Sequence, residues 1–181
     1  MKSLVEHLSQ YAAYHRDPRN IATHYIGIPL IAFAIAALLA RAQWATAGLV
    51  ISADWVVWTL VTAWYLTLGQ RALTLSTAGV LAGLVALAHP LGTAPLNTWL
   101  GWGLGCFVVG WVFQFVGHYW EGRKPAFVDD LRGLLIGPMF VVAEVGFALG
   151  AGRAALMPAR RALGRHPPAA TGARRRAPAP A

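Results

Sequence analysis

Apolar residues fill this chain in long blocks separated by short polar stretches, and several blocks exceed what a core helix of a soluble domain needs. The first segment, Lys2 to His15, sets Leu4, Leu8, Tyr11 and His15 at helical spacing, which predicts a short helix lying at a membrane edge. Asp17-Pro18-Arg19-Asn20 then breaks the pattern, and Asn20 is placed to cap the next helix. From Ile21 to Ala40 the chain is apolar apart from Thr23, His24 and Tyr25, long enough to cross the ~30 Å hydrocarbon layer. Further blocks predict a second span over about Gly48 to Leu68, with Asp54 near its start, and a third over Leu73 to Ala88, closed by His89-Pro90. A fourth follows from Thr98 to Gly117.

A fifth apolar stretch, Leu134 to Gly150, is interrupted by Gly137-Pro138 and carries Glu144 near its middle, where an unpartnered charge is costly. The basic residues favour a re-entrant reading of it. The N-terminus, second loop and fourth loop hold seven Lys and Arg, whereas the first and third loops hold only Arg41. A full fifth crossing would put the seven arginines from Arg153 to Arg176 on the poor side. The pattern therefore predicts an all-α integral membrane protein with four to five transmembrane or re-entrant helices plus a short N-terminal interfacial helix.

Composition agrees: 57% of the 181 residues are hydrophobic and 12% charged. Residues 1–156 read as a single membrane domain, and 157–181, rich in Ala, Pro and Arg, as a disordered basic tail. The net charge of +8 suits an anionic lipid surface beside the last helix. Nucleic acid is excluded as a partner because no aromatic residues interleave with the tail's charge. Ala40-Arg41-Ala42 resembles a signal-peptide cleavage site, but the preceding polar region is too long and contains Glu6 and Asp17.

Candidate chemistry comes from the histidines. His24 begins the first span and His118 ends the fourth, so an even number of crossings returns both to one membrane face. His15, nine residues before His24 and across a turn, can fold back to that face. Along the fourth helix Trp111, Gln114, His118 and Glu121 form a polar stripe at i, i+3, i+4 spacing. Cys106 is the only cysteine, so a metal here must use nitrogen and oxygen donors. His15, His24 and His118, with the Glu121 carboxylate beside them, suit iron(II) or zinc with an open position. The competing reading is three interfacial histidines bonded to lipid headgroups. His7 is expected to face water, His89 lies on the opposite face by the same parity, and His166 is in the tail. No His-Glu-x-x-His box, glycine-rich phosphate loop or Gly-x-Ser-x-Gly elbow is present, which removes common peptidase and nucleotide chemistries. Six histidines in all are too few for the paired boxes of two-iron membrane desaturases.

Several blocks together carry a resemblance: Tyr14-His15-Arg16 with Asn20, His24 with Gly27-Ile28-Pro29, Gln114-Phe115-Val116-Gly117-His118 with Glu121, Arg123, Lys124, Pro125 and Ala126, and Gly137-Pro138 with Glu144. Over about Val5 to Gly150 the chain resembles the fungal 2-hydroxy-fatty-acid dioxygenase family and its bacterial relatives. The resemblance implies a membrane enzyme of fatty-acid α-oxidation that uses iron(II) and dioxygen to shorten a long-chain 2-hydroxy fatty acid by one carbon. His15, His24 and His118 fall on the family's histidine positions and become the expected iron ligands. Glu121 and Arg123 become the expected catalytic residues, with Arg123 or Lys124 pairing with the substrate carboxylate; membrane anchoring is the equal alternative for those two cations. The Ala-rich, Arg-rich composition points to a bacterial inner membrane. A non-enzymatic lipid-binding or scaffolding membrane protein is the alternative function. A transporter fits less well, since the polar residues gather at one face.

Overall fold

A computed structural model describes residues 3–149, which form six α-helices, one short hairpin and two 3-10 turns. The expected helix α1 runs over Leu4–Ala13 and starts in a capping box, with Ser3 Oγ accepting the Glu6 N–H and the Glu6 carboxylate accepting the Ser3 N–H. Helix α2 spans Pro18–Ala40. Its cap is Asp17 rather than Asn20: the Asp17 carboxylate accepts the Arg19 N–H at 2.8 Å, and Pro18 occupies the first turn, where a missing N–H costs nothing. Asn20 therefore lies inside the helix, fully buried.

The second predicted span begins later than its apolar pattern suggested. Gln43–Thr46 (β1) and Leu49–Ser52 (β2) pair antiparallel across Ala47 and Gly48, both at positive φ (50° and 81°), the conformation a tight hairpin demands. Leu49, Val50 and Ile51 belong to this hairpin, and their unbroken apolar run hid the period of two. Helix α3, Ala53–Leu66, is left with 14 residues, about 21 Å at 1.5 Å per residue. Helices α4 (Arg71–Ala88) and α5 (Leu96–Glu121) match the third and fourth predicted spans. Among the described residues three helical segments are long and apolar enough to cross a membrane: Pro18–Ala40, Arg71–Thr93 and Leu96–Glu121. Helix α6, Arg132–Ala148, runs unbroken through Gly137-Pro138, where an interruption was expected. The predicted basic tail lies outside the described residues, as does His166.

The helices pack around two clusters at opposite ends. At one end Ala36 and Ala37 of α2 meet Val85 and Ala88 of α4, with Trp55 and Trp58 of α3 against them. At the other, Leu4, Leu8 and Tyr11 of α1 meet Tyr65, Leu68 and Leu73, together with Ile136, Met139 and Phe140 of α6. Helix α3 thus starts in the first cluster and finishes in the second. Although short, it carries the chain back, so α2 begins and α5 ends at the same end of the bundle. The buried apolar residues of α6, from Ile136 to Ala143, all belong to that second cluster. Tyr65 ties α3 to α6 by donating to the Leu135 carbonyl at 2.5 Å.

The closest packing is between α2 and α5, and a glycine stripe makes it possible. Gly103, Gly110 and Gly117 recur every seven residues on the buried face of α5. A Cβ at Gly110 would sit 2.7 Å from Ile31 Cγ1 and 2.9 Å from the Gly27 carbonyl oxygen, and one at Gly117 would strike Thr23 and Asn20. Small residues at such a crossing let the backbones approach, which is the main source of helix association in lipid. The opposite face of α5 exposes Leu104, Val108, Val112 and Phe115, as lipid contact requires.

Candidate metal centre

The α1–α2 turn, the first turns of α2 and the last turn of α5 converge at the α1 end of the bundle. There His15, His24 and His118, all buried, place one ring nitrogen each within 4.8 Å of one another. The span-parity argument reached this meeting from sequence. Among the described residues they form the one group of three or more His, Cys, Asp or Glu side chains close enough to share an ion.

Local structure orients two of the rings. His15 Nδ1 lies 2.7 Å from the Tyr11 carbonyl oxygen, and His24 Nδ1 lies 2.8 Å from that of Asn20, each four residues back. A carbonyl oxygen can only accept, so both Nδ1 atoms carry the proton, and in the neutral rings both Nε2 atoms are bare lone pairs. Those two Nε2 atoms face each other at 3.0 Å. Two lone pairs this close repel unless a cation lies between or beside them. Metal–imidazole bonds of about 2.1 Å bridge donor pairs up to about 4.2 Å apart, so this pair is already at chelating distance. Backbone carbonyls holding the distal ring nitrogens are the usual second layer of a histidine metal site. The third ring, His118, has its Nδ1 buried without a hydrogen-bond partner, and its centroid lies 5.0 Å from His15 and 5.2 Å from His24. The donor set therefore fits a nitrogen-liganded transition metal.

Aromatic residues wall the cluster. The Tyr11 ring stacks on His15 with centroids 4.1 Å apart, and Phe140 packs against both. Burial, reinforced by the neighbouring His24, pushes the His15 pKa down to about 2, which keeps the ring neutral and its lone pair available. Neither aromatic was picked out as a site residue. Tyr11, one turn before His15 on the same helix face, carried a readable signal; Phe140 on α6 carried none.

Glu121 is held by the α1–α2 turn. Its carboxylate accepts the Arg16 N–H on both oxygens at 2.9 and 3.0 Å, the Asp17 N–H at 2.8 Å and the Asn20 amide at 3.0 Å. It braces the turn that carries His15. Arg123 donates to the Ala13 carbonyl at 3.1 Å and lies over the Tyr14 ring, while Lys124 pairs with Asp129 at 2.5 Å. Asp129 also accepts the Tyr14 hydroxyl, and the Lys124 ammonium holds its carboxyl below the usual range. Both cations proposed for a substrate carboxylate thus already tie the α5 end to the end of α1 or to the loop before α6. His7 departs from expectation: it is 6% exposed and packs edge-on against Trp64, because α1 turns this face toward α3. His89 sits at the far end, as parity required, with its Nδ1 2.7 Å from Asp54.

A cavity of about 470 Å³ opens beside His24, His118 and Gln114. It follows α2 past Ile28, Ile31 and Ile35 to Leu39, about 22 Å along the helix axis, and ends near Trp58 and Asp54. Its walls are almost wholly apolar. These features define a class: a small helical protein with membrane-length helices and a buried three-histidine centre at one end of an apolar cavity.

Residues 1–149 match the family model described as "2-hydroxy-palmitic acid dioxygenase Mpo1-like", and the chain belongs to that family. It is 34% identical over 147 residues to the 2-hydroxy-palmitic acid dioxygenase MPO1 of Saccharomyces cerevisiae, covering 79% of each chain. No solved structure matches.

Proposed function

We propose that the protein is an iron(II)-dependent membrane dioxygenase that shortens a long-chain 2-hydroxy fatty acid by one carbon. The observation that carries the reading is the pair of facing Nε2 atoms of His15 and His24, in a cluster whose His24 and His118 border an apolar cavity. A purely lipid-binding scaffold leaves that lone-pair opposition unexplained. The yeast relative's name supports the substrate class.

Overall, R–CHOH–COOH and O₂ give R–COOH, CO₂ and water. The C1–C2 bond breaks, and the substrate supplies all four electrons that reduce dioxygen, so no further reductant is required. Bound iron(II) would supply the dioxygen chemistry that no side chain here possesses. His15, His24 and His118 would hold it, neutral and oriented by the Tyr11 and Asn20 carbonyls. The cavity takes the acyl chain between α2, α3 and α5, excludes water along its length and leaves the oxygen-bearing head at the histidines. The α1 end is also the end where the basic loops gather, which supports a centre on the cytoplasmic side of a bacterial inner membrane.

The test is anaerobic reconstitution of the purified full chain with iron(II), followed by oxygen and mass analysis of 2-hydroxyhexadecanoic acid beside hexadecanoic acid. Chain shortening of the hydroxy acid with iron but not with redox-inert zinc is expected. Equal turnover with zinc, or no shortening at any acyl length, removes the dioxygenase reading.

A further inference from the structure

Among the apolar walls of the cavity, one polar side chain next to the histidines has no role in holding them. Gln114 lies one turn before His118 on the same face of α5, is 6% exposed, and borders the cavity together with His24 and His118. Its Nε2 is buried without a hydrogen-bond partner. A buried amide donor left unpaired is unfavourable to the protein alone, and such groups are rare unless a ligand completes them. The backbone makes room for this amide: Gly27 of α2 stands where any side chain would strike Gln114 Nε2.

We propose that Gln114 holds the carboxylate head of the acyl ligand, its amide donating a hydrogen bond to a carboxylate oxygen beside the three histidines. The inference rests on the acyl-ligand reading above and assigns its head-group contact. The two cations first considered for this task are engaged elsewhere, Arg123 with Ala13 and Lys124 with Asp129. An uncharged donor also suits the place, since a guanidinium in an apolar cavity would carry a desolvation penalty whenever the cavity held no anion. An amide recognises the same oxygen at a smaller desolvation cost than a charged group. Gln114 is accordingly a positioning and specificity residue: an acid satisfies its N–H, whereas an alkyl chain ending in a methyl group does not.

Equilibrium binding of hexadecanoic acid and of hexadecane to the metal-free full chain in detergent micelles tests this, alongside melting temperature and iron content of each variant. The wild-type chain is expected to favour the acid. Gln114→Leu should weaken acid binding about tenfold or more and leave the alkane within about twofold. Iron content should stay near wild type. Gln114→Glu, which keeps the shape but repels a carboxylate, should weaken the acid at least as far, and it carries the test should the leucine variant not fold. Unchanged acid affinity in both variants, equal losses for acid and alkane, or a wild-type chain that does not favour the acid would each overturn the assignment. Turnover of 2-hydroxyhexadecanoic acid by iron-loaded protein is a separate arm. If the acid preference depends on Gln114 but no chain shortening occurs, the dioxygenase reading fails while the head-group contact stands.

Discussion

The carboxylate of Glu121 receives the backbone N–H of Arg16 on both of its oxygens, locking the turn that bears His15 to the end of the helix that bears His118. The distance between two metal-competent rings on separate elements is thus set by a third side chain that is not in their cluster. Hydrogen bonds to a charged acceptor contribute about 1.5–3 kcal/mol each, so removing this acceptor frees several donors together.

Glu121→Ala should therefore lower the melting temperature and the bound-metal stoichiometry in parallel, by loosening the turn. Glu121→Gln keeps one acceptor oxygen and should recover part of both. Metal analysis and thermal unfolding in the same detergent decide the matter. A glutamine variant that melts as wild type yet holds no metal would make Glu121 a direct ligand.

The histidines differ from Glu121 in what their loss should do. Replacing His15, His24 or His118 by alanine removes a buried ring that stacks or packs, and loss of His15 or His24 also relieves their opposed lone pairs. Each variant should lose most of the bound metal, because three donors define the site geometry. The metal-free forms should melt within a few degrees of metal-free wild type. Metal-induced stabilisation is the sensitive readout, since a ligand that binds only the folded state raises stability with its concentration. Full occupancy in the His118→Ala chain would remove His118 from the set.

Much of this centre could be read from the chain, and the reason is topological. Span parity needs only the number of crossings, so placing His24 and His118 at one end survived an error in where the second helix begins. That error arose because Leu49, Val50 and Ile51 are uniformly apolar, and the positive φ of Ala47 has no sequence mark as plain as Gly48's. Asn20 was misread as a cap because the stronger capping pair, Asp17 with Pro18, precedes it by only a few residues. The contacts of Glu121 were harder still to read. A charged residue three positions from a histidine looks the same in sequence whether it turns toward the ring or toward a neighbouring backbone.

The glycine stripe of α5 separates packing from helix propensity. Gly110→Ala puts a methyl group within 3 Å of Ile31 and of the Gly27 backbone, where overpacking typically costs about 1–3 kcal/mol. Gly101 lies on the same helix with nothing within 4 Å of its would-be Cβ. Gly101→Ala should be neutral or stabilising by up to about 1 kcal/mol, as glycine-to-alanine changes in helices are. Unfolding midpoints in mixed micelles check the contrast. Equal effects at the two positions would mean that α2 and α5 do not depend on close approach at Gly110.

The cavity makes a prediction about acyl length. Ala32 faces it roughly midway between His24 and Leu39 along α2, so a large side chain there should shorten the usable cavity without reaching the histidines. Ala32→Phe is expected to move the preferred 2-hydroxy acid to a shorter chain, and to lower kcat/KM for the wild-type optimum by about tenfold or more. Losing the burial of two or three methylenes at about 0.8 kcal/mol each is enough for that change. Iron content should not move, because no ligand or carbonyl that orients a ligand is touched. Chain-length profiles of both proteins, each corrected for bound iron, provide the measurement. An unchanged optimum in a fully metallated Ala32→Phe chain would mean that the acyl chain leaves the histidines by another route, outward between α5 and lipid rather than along α2.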